Sequence, residues 1–328
     1  KAIILDENGA VCASASQANH LIFPGTNMVE QDPSEWWKNT VLILRKITSE
    51  VGEAVVRKIR GICVSSQTVT MLPVDKNGNP LRNALIWMDG RSAGELAYIR
   101  KSLGNEHFIS IIGAQPDVAF LPNKLLWFKK NEPELYKKTY RVLQVSSYIN
   151  YKLTGQMTMD IDQAARCQCL DIQSLKWSDE ISNVIGIDLN AVLPAPQLST
   201  EVIGSVTDEA AALTGLISGI PVVAGASDAM ASMYATGLCQ LGEAGESSGT
   251  TSLVFVGSRH KSSSSLPIVT KPCPIPGMPY VFDAPINTSG ASIKWYLDCF
   301  GQPEKDYAKA HNMNVYDHLN KCALDVPA

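Results

Sequence analysis

Long hydrophobic runs and an excess of positive charge are both missing from this sequence. No apolar run approaches the roughly 20 residues that a membrane-spanning helix needs, and the first residues, KAIILDENG, lack the basic start, apolar stretch and cleavage site of a signal peptide. Lysine and arginine number 28 against 32 aspartates and glutamates, a net charge of −4, whereas a general nucleic-acid-binding surface needs clustered cations. We therefore expect a soluble, cytoplasmic protein that binds neither membranes nor nucleic acids.

Cysteine is also sparse, with eight residues scattered through the chain. The closest pair, Cys167 and Cys169, is spaced one residue too tightly for the C-x-x-C pattern of zinc sites. A disulfide framework is typical of short secreted chains, which this one does not resemble. We expect the cysteines to be small thiols in a reducing compartment.

The composition is that of a folded chain with a substantial core, since 45% of the 328 residues are hydrophobic and 18% are charged. This length suits two domains of ordinary size. Strand-like runs alternate with helical stretches, and a turn-rich connector at residues 215–219 places a boundary after residue 220. The predicted domains are residues 1–220 and 221–328, both α/β, with a cleft between them that suits a small molecule.

One helix start is well defined by its residues. Asp32 stands at the N-cap position, Pro33 at the first helical position and Glu35 three residues after the cap, which is the pattern of a capped helix. We therefore predict that an amphipathic helix begins at Pro33.

A glycine- and hydroxyl-rich segment, Gly245–Ser252 (GESSGTTS), precedes the apolar run Leu253–Val256. Glycine lets the backbone approach a phosphate, and consecutive amides and hydroxyls can donate to its oxygens. The segment is neither a Walker A sequence nor a G-x-G-x-x-G fingerprint. A plain turn joining two strands is the alternative interpretation.

A lone aspartate among small residues, Asp228, follows the apolar run Pro221–Gly225. It is predicted to lie at the carboxyl edge of a sheet, where open α/β sheets bind ligands. An aspartate there can accept a proton from a hydroxyl or hold a hydrated Mg²⁺. The alternative is that Asp228 caps the helix that follows.

Residues that suit a polyhydroxylated ligand occur in two further segments. Gln67 follows a predicted buried strand, and Trp87, Asp89 and Arg91 form a compact cluster. An aromatic ring beside acidic, basic and amide groups is a usual combination for binding sugars. A structural Asp–Arg pair on a turn with a core tryptophan remains open as the alternative.

Gly290 stands at the start of a predicted helix, residues 291–298. Glycine at this position allows a nucleotide to lie against the helix N-terminus. Ordinary capping by Thr288 or Ser289 is the alternative.

In their order and spacing, these segments resemble the FGGY family of carbohydrate kinases. The segments that carry the resemblance are WMDGR (87–91), KLLW (124–127), PVVAGASD (221–228), GTTS (249–252) and GASIKW (290–295). The segment EQDPSEWW (30–37) is particularly similar to the corresponding segment of xylulokinases. The resemblance extends over essentially the whole chain.

The resemblance implies an α/β protein with the two-lobed, actin-like (ribonuclease-H-like) ATPase fold, a central cleft, and ATP and Mg²⁺ as cofactors. It implies that Asp228 is the general base that takes the proton of the attacking sugar hydroxyl and also contacts Mg²⁺ through water. One carboxylate suits phosphoryl transfer, in which positioning and electrostatics supply most of the catalysis. The other implied contacts are Gln67, Thr68, Trp87 and Asp89 for the sugar, and Gly249, Thr250, Thr251, Gly290 and Lys294 for the nucleotide.

The sequence departs from the family pattern in the sugar pocket. Thr68 and Val69 follow Gln67, where xylulokinases have Met-His and glycerol kinases have Arg-Glu. Xylulose or a related ketose or polyol is therefore the first expected substrate, an unassigned sugar the second and glycerol the third. The expected partners are the sugar and MgATP, with a homodimer as one option for the assembly.

The family's first phosphate loop would stand before Lys1, and its adenine-binding segment would follow Ala328. We therefore expect the chain to be part of a longer kinase whose second lobe is incomplete here. A non-catalytic sugar-binding or regulatory relative of the same fold is the alternative function. A periplasmic-type sugar-binding protein is disfavoured by the missing signal peptide and by the phosphate-type loop.

Overall fold

The computed structural model describes residues 1–248, 252–262, 268–273, 275, 277–286, 288–324 and 326. The strands are β1 (Ala2–Leu5), β2 (Val11–Ala15), β3 (Ile22–Gly25), β4 (Met28–Gln31), β5 (Ile62–Ser66), β6 (Leu72–Val74), β7 (Ala84–Leu85), β8 (Arg141–Leu143), β9 (Met159–Asp160), β10 (Leu170–Asp171), β11 (Lys176–Trp177), β12 (Pro196–Gln197), β13 (Val202–Ser205), β14 (Pro221–Ser227), β15 (Ala244–Ser248), β16 (Ser252–Ser258), β17 (Val269–Pro272) and β18 (Tyr280–Ile286). The helices are α1 (Pro33–Val51), α2 (Glu53–Val56), α3 (Ala93–Leu103), α4 (Asn105–Ile112), α5 (Leu121–Asn131), α6 (Pro133–Lys138), α7 (Val145–Thr154), α8 (Ile161–Arg166), α9 (Asp179–Ile185), α10 (Leu189–Val192), α11 (Asp208–Thr214), α12 (Asp228–Ala235), α13 (Ser289–Cys299), α14 (Gln302–Ala310) and α15 (Val315–Leu324).

Helix α1 begins where the sequence predicts. Asp32 is its N-cap and accepts a hydrogen bond from the backbone N–H of Ser34 at 2.8 Å. Pro33 occupies the first helical position, where its missing N–H costs nothing. Trp36 is buried and meets Tyr148 of α7 edge-on, with 6.3 Å between ring centroids, so α1 is fixed against the neighbouring helix.

A three-stranded sheet in the order β13-β14-β5 positions the candidate site. Strands β14 and β5 are parallel, with Val222 paired to Ile62 at one end and Ser227 paired to Ser66 at the other. Gly225 makes their close approach possible: its φ is +88°, and a Cβ there would lie 2.2 Å from the carbonyl oxygen of Val64. No residue with a side chain fits without moving one of the two strands.

A second sheet follows residue 235 and is antiparallel in the order β15-β16-β18-β17. Buried side chains of α12 and of this sheet, among them Met230, Met233, Phe255 and Val281, form one core cluster. Separate clusters lie around α5 and between β14 and helices α1 and α7.

The predicted boundary after residue 220 stays a prediction. In the structure, the strand that begins at Pro221 pairs with β5 and β13, and helix α12 packs beneath the second sheet. Among the helices described here, none is long and apolar enough to cross a membrane.

Candidate active site

Asp228 and Gln67 follow the carboxyl ends of two paired parallel strands. Ser227 and Ser66 are the last residues of β14 and β5 and are paired in register. The residue that follows each strand is one of the two predicted site residues. Neighbouring strands in a sheet lie about 4.8 Å apart. The two predicted residues therefore emerge side by side at the sheet edge where α/β proteins bind ligands.

Asp228 is the first residue of α12, but it does not cap the helix. Ser227, which is fully buried, is the N-cap, and its Oγ accepts the N–H of Met230 at 3.1 Å. The alternative that Asp228 is the helix cap is therefore wrong. Asp228 is partly exposed, and its Oδ1 accepts one local hydrogen bond, from the N–H of Ala229 at 2.8 Å.

The surrounding protein alters the ionisation of this carboxyl. Partial burial raises the pKa of Asp228 above its ordinary value, although the Ala229 N–H and the charge of Arg166 act in the opposite direction. A carboxylate whose pKa is raised is a better proton acceptor, which suits a general base.

Magnesium would find few protein ligands in this region. In the part of the chain that the structure describes, no group of three or more His, Cys, Asp or Glu side chains is arranged to hold a metal ion. Asp228 is partly exposed, and its Oδ2 accepts no side-chain or backbone hydrogen bond from another described residue. This arrangement fits Mg²⁺ that keeps most of its water and contacts a carboxylate through it.

The short helix α8 contacts both strand ends. Gln163 Nε2 donates to Ser66 Oγ at 3.2 Å. Asp162 Oδ2 accepts the backbone N–H of Ser227 at 3.0 Å. One helix therefore fixes the residue before Gln67 and the residue before Asp228.

A buried ion network links α8 to the second sheet. Asp162 Oδ1 accepts from Arg166 Nε at 2.7 Å, and Arg166 Nη1 lies 3.4 Å from Asp283 Oδ2 on β18. Lys271 of β17 donates to the same oxygen of Asp283. Burial alone would raise the pKa of Asp283, but the charges of Lys271 and Arg166 outweigh it and hold the pKa below its ordinary value.

Gln67 is held in place by its neighbours. Its Nε2 donates to Gln31 Oε1 at 2.8 Å, and the same oxygen accepts from Trp36 Nε1 at 3.2 Å. Thr68 lies next in the chain, and its hydroxyl oxygen is buried with no hydrogen-bond partner among the described residues. A buried, unpartnered hydroxyl beside a fixed amide can receive a polar ligand group.

Trp87 and Asp89 differ in what they offer a ligand. Trp87 is 51% exposed, so its ring can stack on a sugar. Asp89 is fully buried, and its Oδ2 accepts the N–H of Val29 at 2.7 Å and the Nε of Arg91 at 2.9 Å. The structural Asp–Arg pair is thus present, and a contact between Asp89 and sugar stays a prediction.

Two of the five predicted nucleotide contacts, Gly290 and Lys294, lie on α13. Gly249, Thr250 and Thr251 fall outside the described residues. On either side of them, Ser248 and Ser252 are paired between β15 and β16, and Ser252 Oγ donates to Ser289 Oγ at 2.8 Å. Gly290 and Lys294 are therefore on a helix whose first turn touches the start of β16, and Lys294 is exposed.

Capping by Thr288 does not account for the start of this helix. Thr288 stands at the N-cap position of α13 but makes no side-chain capping bond. The first N–H groups of α13 are therefore not engaged by the cap side chain, and the roles of Gly290 and Lys294 stay predictions.

Comparison with known proteins identifies the family. Residues 1–235 match the N-terminal domain of the FGGY family of carbohydrate kinases. The chain belongs to this family. A xylulose kinase of Bacillus subtilis is 31% identical over 255 residues, which cover 78% of this chain and 50% of that protein. An L-fuculokinase of Escherichia coli is 31% identical over 274 residues, which cover 81% of this chain and 56% of that protein.

Solved structures agree with the predicted fold. A xylulose kinase from Rhodospirillum rubrum has a TM-score of 0.89 and 28% identity, over 99% of this chain and 65% of that one. The predicted two-lobed, actin-like ATPase fold is thus confirmed. The FGGY chain described here spans about half the length of the curated relatives it matches.

Sequence reasoning missed the residues of α8 as functional candidates. Asp160 caps this helix by accepting the N–H of Gln163 at 2.9 Å, and burial raises the pKa of its carboxyl well above the ordinary range. The signal in the sequence was the capping aspartate followed by Asp162 and Arg166 at a spacing of four, which places the last two on one helix face.

Proposed function

We propose that this chain is the sugar-binding part, with the start of the nucleotide-binding part, of an ATP-dependent carbohydrate kinase. The observation that supports this most directly is the pairing of Ser66 with Ser227, which brings Gln67 and Asp228 out side by side at one sheet edge. Family membership and relatives named xylulose kinase, L-fuculokinase and glycerol kinase point to the same class of reaction.

In the proposed mechanism, Asp228 is the general base. It accepts the proton of a sugar hydroxyl while the hydroxyl oxygen forms a bond to the γ-phosphorus and the bond to the departing ADP breaks. The Ser227 cap leaves the Asp228 carboxylate available for this proton. Mg²⁺, when bound, would neutralise the charge of the phosphates, with Asp228 contacting it through water.

The proposed division of labour follows the two predicted domains. Residues 1–220 would bind the sugar through Gln67, Thr68 and Trp87, with Asp89 as a predicted fourth contact. Residues 221–328 would begin the nucleotide-binding part. The proposed nucleotide contacts are Gly249, Thr250, Thr251, Gly290 and Lys294.

Xylulose or a related ketose or polyol is the first proposed substrate. The segment at 30–37 favours it, and two similar proteins act on ketoses according to their names, xylulose kinase and L-fuculokinase. Thr68 and Val69, at the positions of the xylulokinase Met-His pair, make another sugar the second proposal and glycerol the third.

The test is a coupled ADP-release screen of the complete polypeptide that contains this chain, over ketoses, polyols and glycerol. We expect turnover with one of these acceptors and its loss in Asp228→Asn, while sugar binding by calorimetry stays within about three-fold of the wild type, because only the proton acceptor is removed.

Asp208→Asn is a matched control. Asp208 is likewise the exposed first residue of a helix whose N-cap, Thr207, accepts the backbone N–H of Ala210, three residues further on. Full turnover in Asp228→Asn would refute the role of Asp228. Sugar binding without ADP release in the wild type would favour the non-catalytic relative.

A further inference from the structure

Lys124 is a buried lysine that joins two segments of the proposed sugar pocket. It lies on α5 and is fully buried. Its Nζ donates to the carbonyl oxygen of Val69 at 3.0 Å and to that of Ile86 at 2.6 Å. Val69 follows Gln67 and Thr68 in the chain, and Ile86 precedes Trp87. One amine therefore connects the two backbone segments that carry the proposed sugar contacts.

Val69 has a backbone conformation that its side chain disfavours. Its φ is +60°, in the left-handed region, where a β-branched residue is an outlier. Such conformations persist when the surrounding structure fixes them, and they are concentrated at functional sites. Val69 is also 5% exposed, so its side chain is enclosed by protein.

Gln67, two residues before Val69, and Thr70, directly after it, are held by other groups. Gln67 is bonded to Gln31, and the N–H of Thr70 donates to Gln144 Oε1 at 2.7 Å. The carbonyl of Ile86 also accepts the N–H of Asp89 at 3.0 Å. Lys124 is therefore the hydrogen-bond donor that the structure gives to the Val69 carbonyl, and its removal would leave this buried acceptor unsatisfied.

We propose that Lys124 is a positioning residue for the sugar: it holds Val69 in the left-handed conformation and thereby sets Gln67 and Thr68 relative to Trp87. The inference rests on the proposed function, which assigns the sugar to these segments. Lys124 itself contacts no ligand, because it is enclosed by protein on all sides. Its effect passes through the backbone of the pocket.

The variant Lys124→Met removes the amine and keeps an unbranched side chain. In the complete protein, we expect the KM for the sugar to rise at least ten-fold, while the KM for ATP changes less than two-fold. In the unliganded protein, we expect amide hydrogen exchange of the peptide covering residues 66–71 to become at least ten-fold faster.

Lys129→Met is the matched control. Lys129 lies on the same helix, and its Nζ also donates to a backbone carbonyl, that of Gly186, at 2.5 Å. This contact is at the surface and away from the pocket segments. We expect no change in the sugar KM and none in exchange at residues 66–71.

A rescue experiment distinguishes positioning from simple loss of packing. Val69→Gly and Val69→Ala both remove the branched side chain, but glycine adopts positive φ without the steric cost that alanine pays. In the Lys124→Met background, we expect the sugar KM and the exchange rate of the glycine variant to be about five-fold lower than those of the alanine variant, and so closer to wild type. If Lys124→Met does not fold, Lys124→Gln with and without Val69→Gly provides the same comparison.

The two proposals fail in different ways. A wild-type protein that phosphorylates no sugar would refute the proposed function, and the exchange measurement would still decide the role of Lys124. Unchanged exchange and unchanged sugar KM in Lys124→Met, or equal behaviour of the glycine and alanine variants, would overturn the positioning role.

Discussion

The ion network between α8 and the second sheet allows a direct test of how the two are joined. Asp283 is 2% exposed and lies between two buried cations, Lys271 and Arg166. Asp283→Asn removes the negative charge with almost no change in volume. Arg166 keeps Asp162 as a partner at 2.7 Å, whereas Lys271 loses the carboxylate with which it is paired.

The expected cost follows from this asymmetry. Removing one member of a buried ion pair costs about 3–5 kcal/mol, because it leaves an uncompensated charge in the interior. We expect Asp283→Asn to lower the free energy of unfolding by this amount. Adding Lys271→Met removes the unpaired charge. The double variant should therefore lose at least about 2 kcal/mol less free energy of unfolding than the two single variants lose when their losses are added.

Urea unfolding followed by tryptophan fluorescence measures these free energies. Glu53→Gln is the control, because Glu53 pairs with Arg57 on the exposed surface of α2, where such a pair contributes about 0.5 kcal/mol or less. Two results would refute the view that the charges of this network are buried and paired. One is a loss below about 1 kcal/mol in Asp283→Asn. The other is a double variant whose loss equals the sum of the losses of the single variants.

Three further predictions concern stability and the placement of Asp228. Burial lowers the pKa of Lys124 from 10.5 to about 7, so the folded state binds fewer protons than the unfolded state between these values. Between about pH 7.5 and about pH 9.5, the free energy of unfolding should therefore rise by about 2 kcal/mol more in wild type than in Lys124→Met. Urea unfolding at several pH values measures this, and an equal rise in the two proteins would contradict it. Gly225→Ala should lower the free energy of unfolding by at least about 2 kcal/mol in the same assay, because the new Cβ would meet the Val64 carbonyl. Gly219→Ala, with φ +90° and open space around its Cβ, should lower it by about 1 kcal/mol. Equal losses in the two variants would contradict this. Ser227→Ala and Thr207→Ala each remove an N-cap and should each cost about 1 kcal/mol, but a kinase assay should show lower turnover only in Ser227→Ala, and equal turnover would argue against a positioning effect of the cap.

Features that depend on neighbouring residues could be predicted from the sequence. The start of α1 is an example. Asp32 caps the helix by accepting the N–H of Ser34, two residues later, and Pro33 occupies the first helical position. The position of Asp228 at the end of β14 follows in the same way from an apolar strand that ends in small residues. The resemblance of the motifs to those of the family predicted the two-lobed, actin-like fold, and the comparison with a xylulose kinase structure confirms that fold.

Features that depend on distant contacts could not be predicted. The partner of Arg166 on the second sheet, Asp283, is 117 residues away along the chain, and no local pattern links the two. The left-handed conformation of Val69 has no sequence signal either, since valine disfavours it. In our proposal, the hydrogen bond that the Val69 carbonyl accepts from Lys124, 55 residues later, stabilises this conformation.

The contacts of α8 link the proposed sugar contact Gln67 to the proposed base Asp228. Through Gln163 and Asp162, this helix of six residues holds the last residues of β5 and β14, and through Arg166 it reaches the second sheet. A shift of the second sheet that moved α8 would therefore displace the chain before Gln67 and the chain before Asp228 in the same direction. The distance between Gln67 and Asp228 would then change less than the position of either residue, and the proposed phosphoryl transfer requires that such relative geometry be preserved.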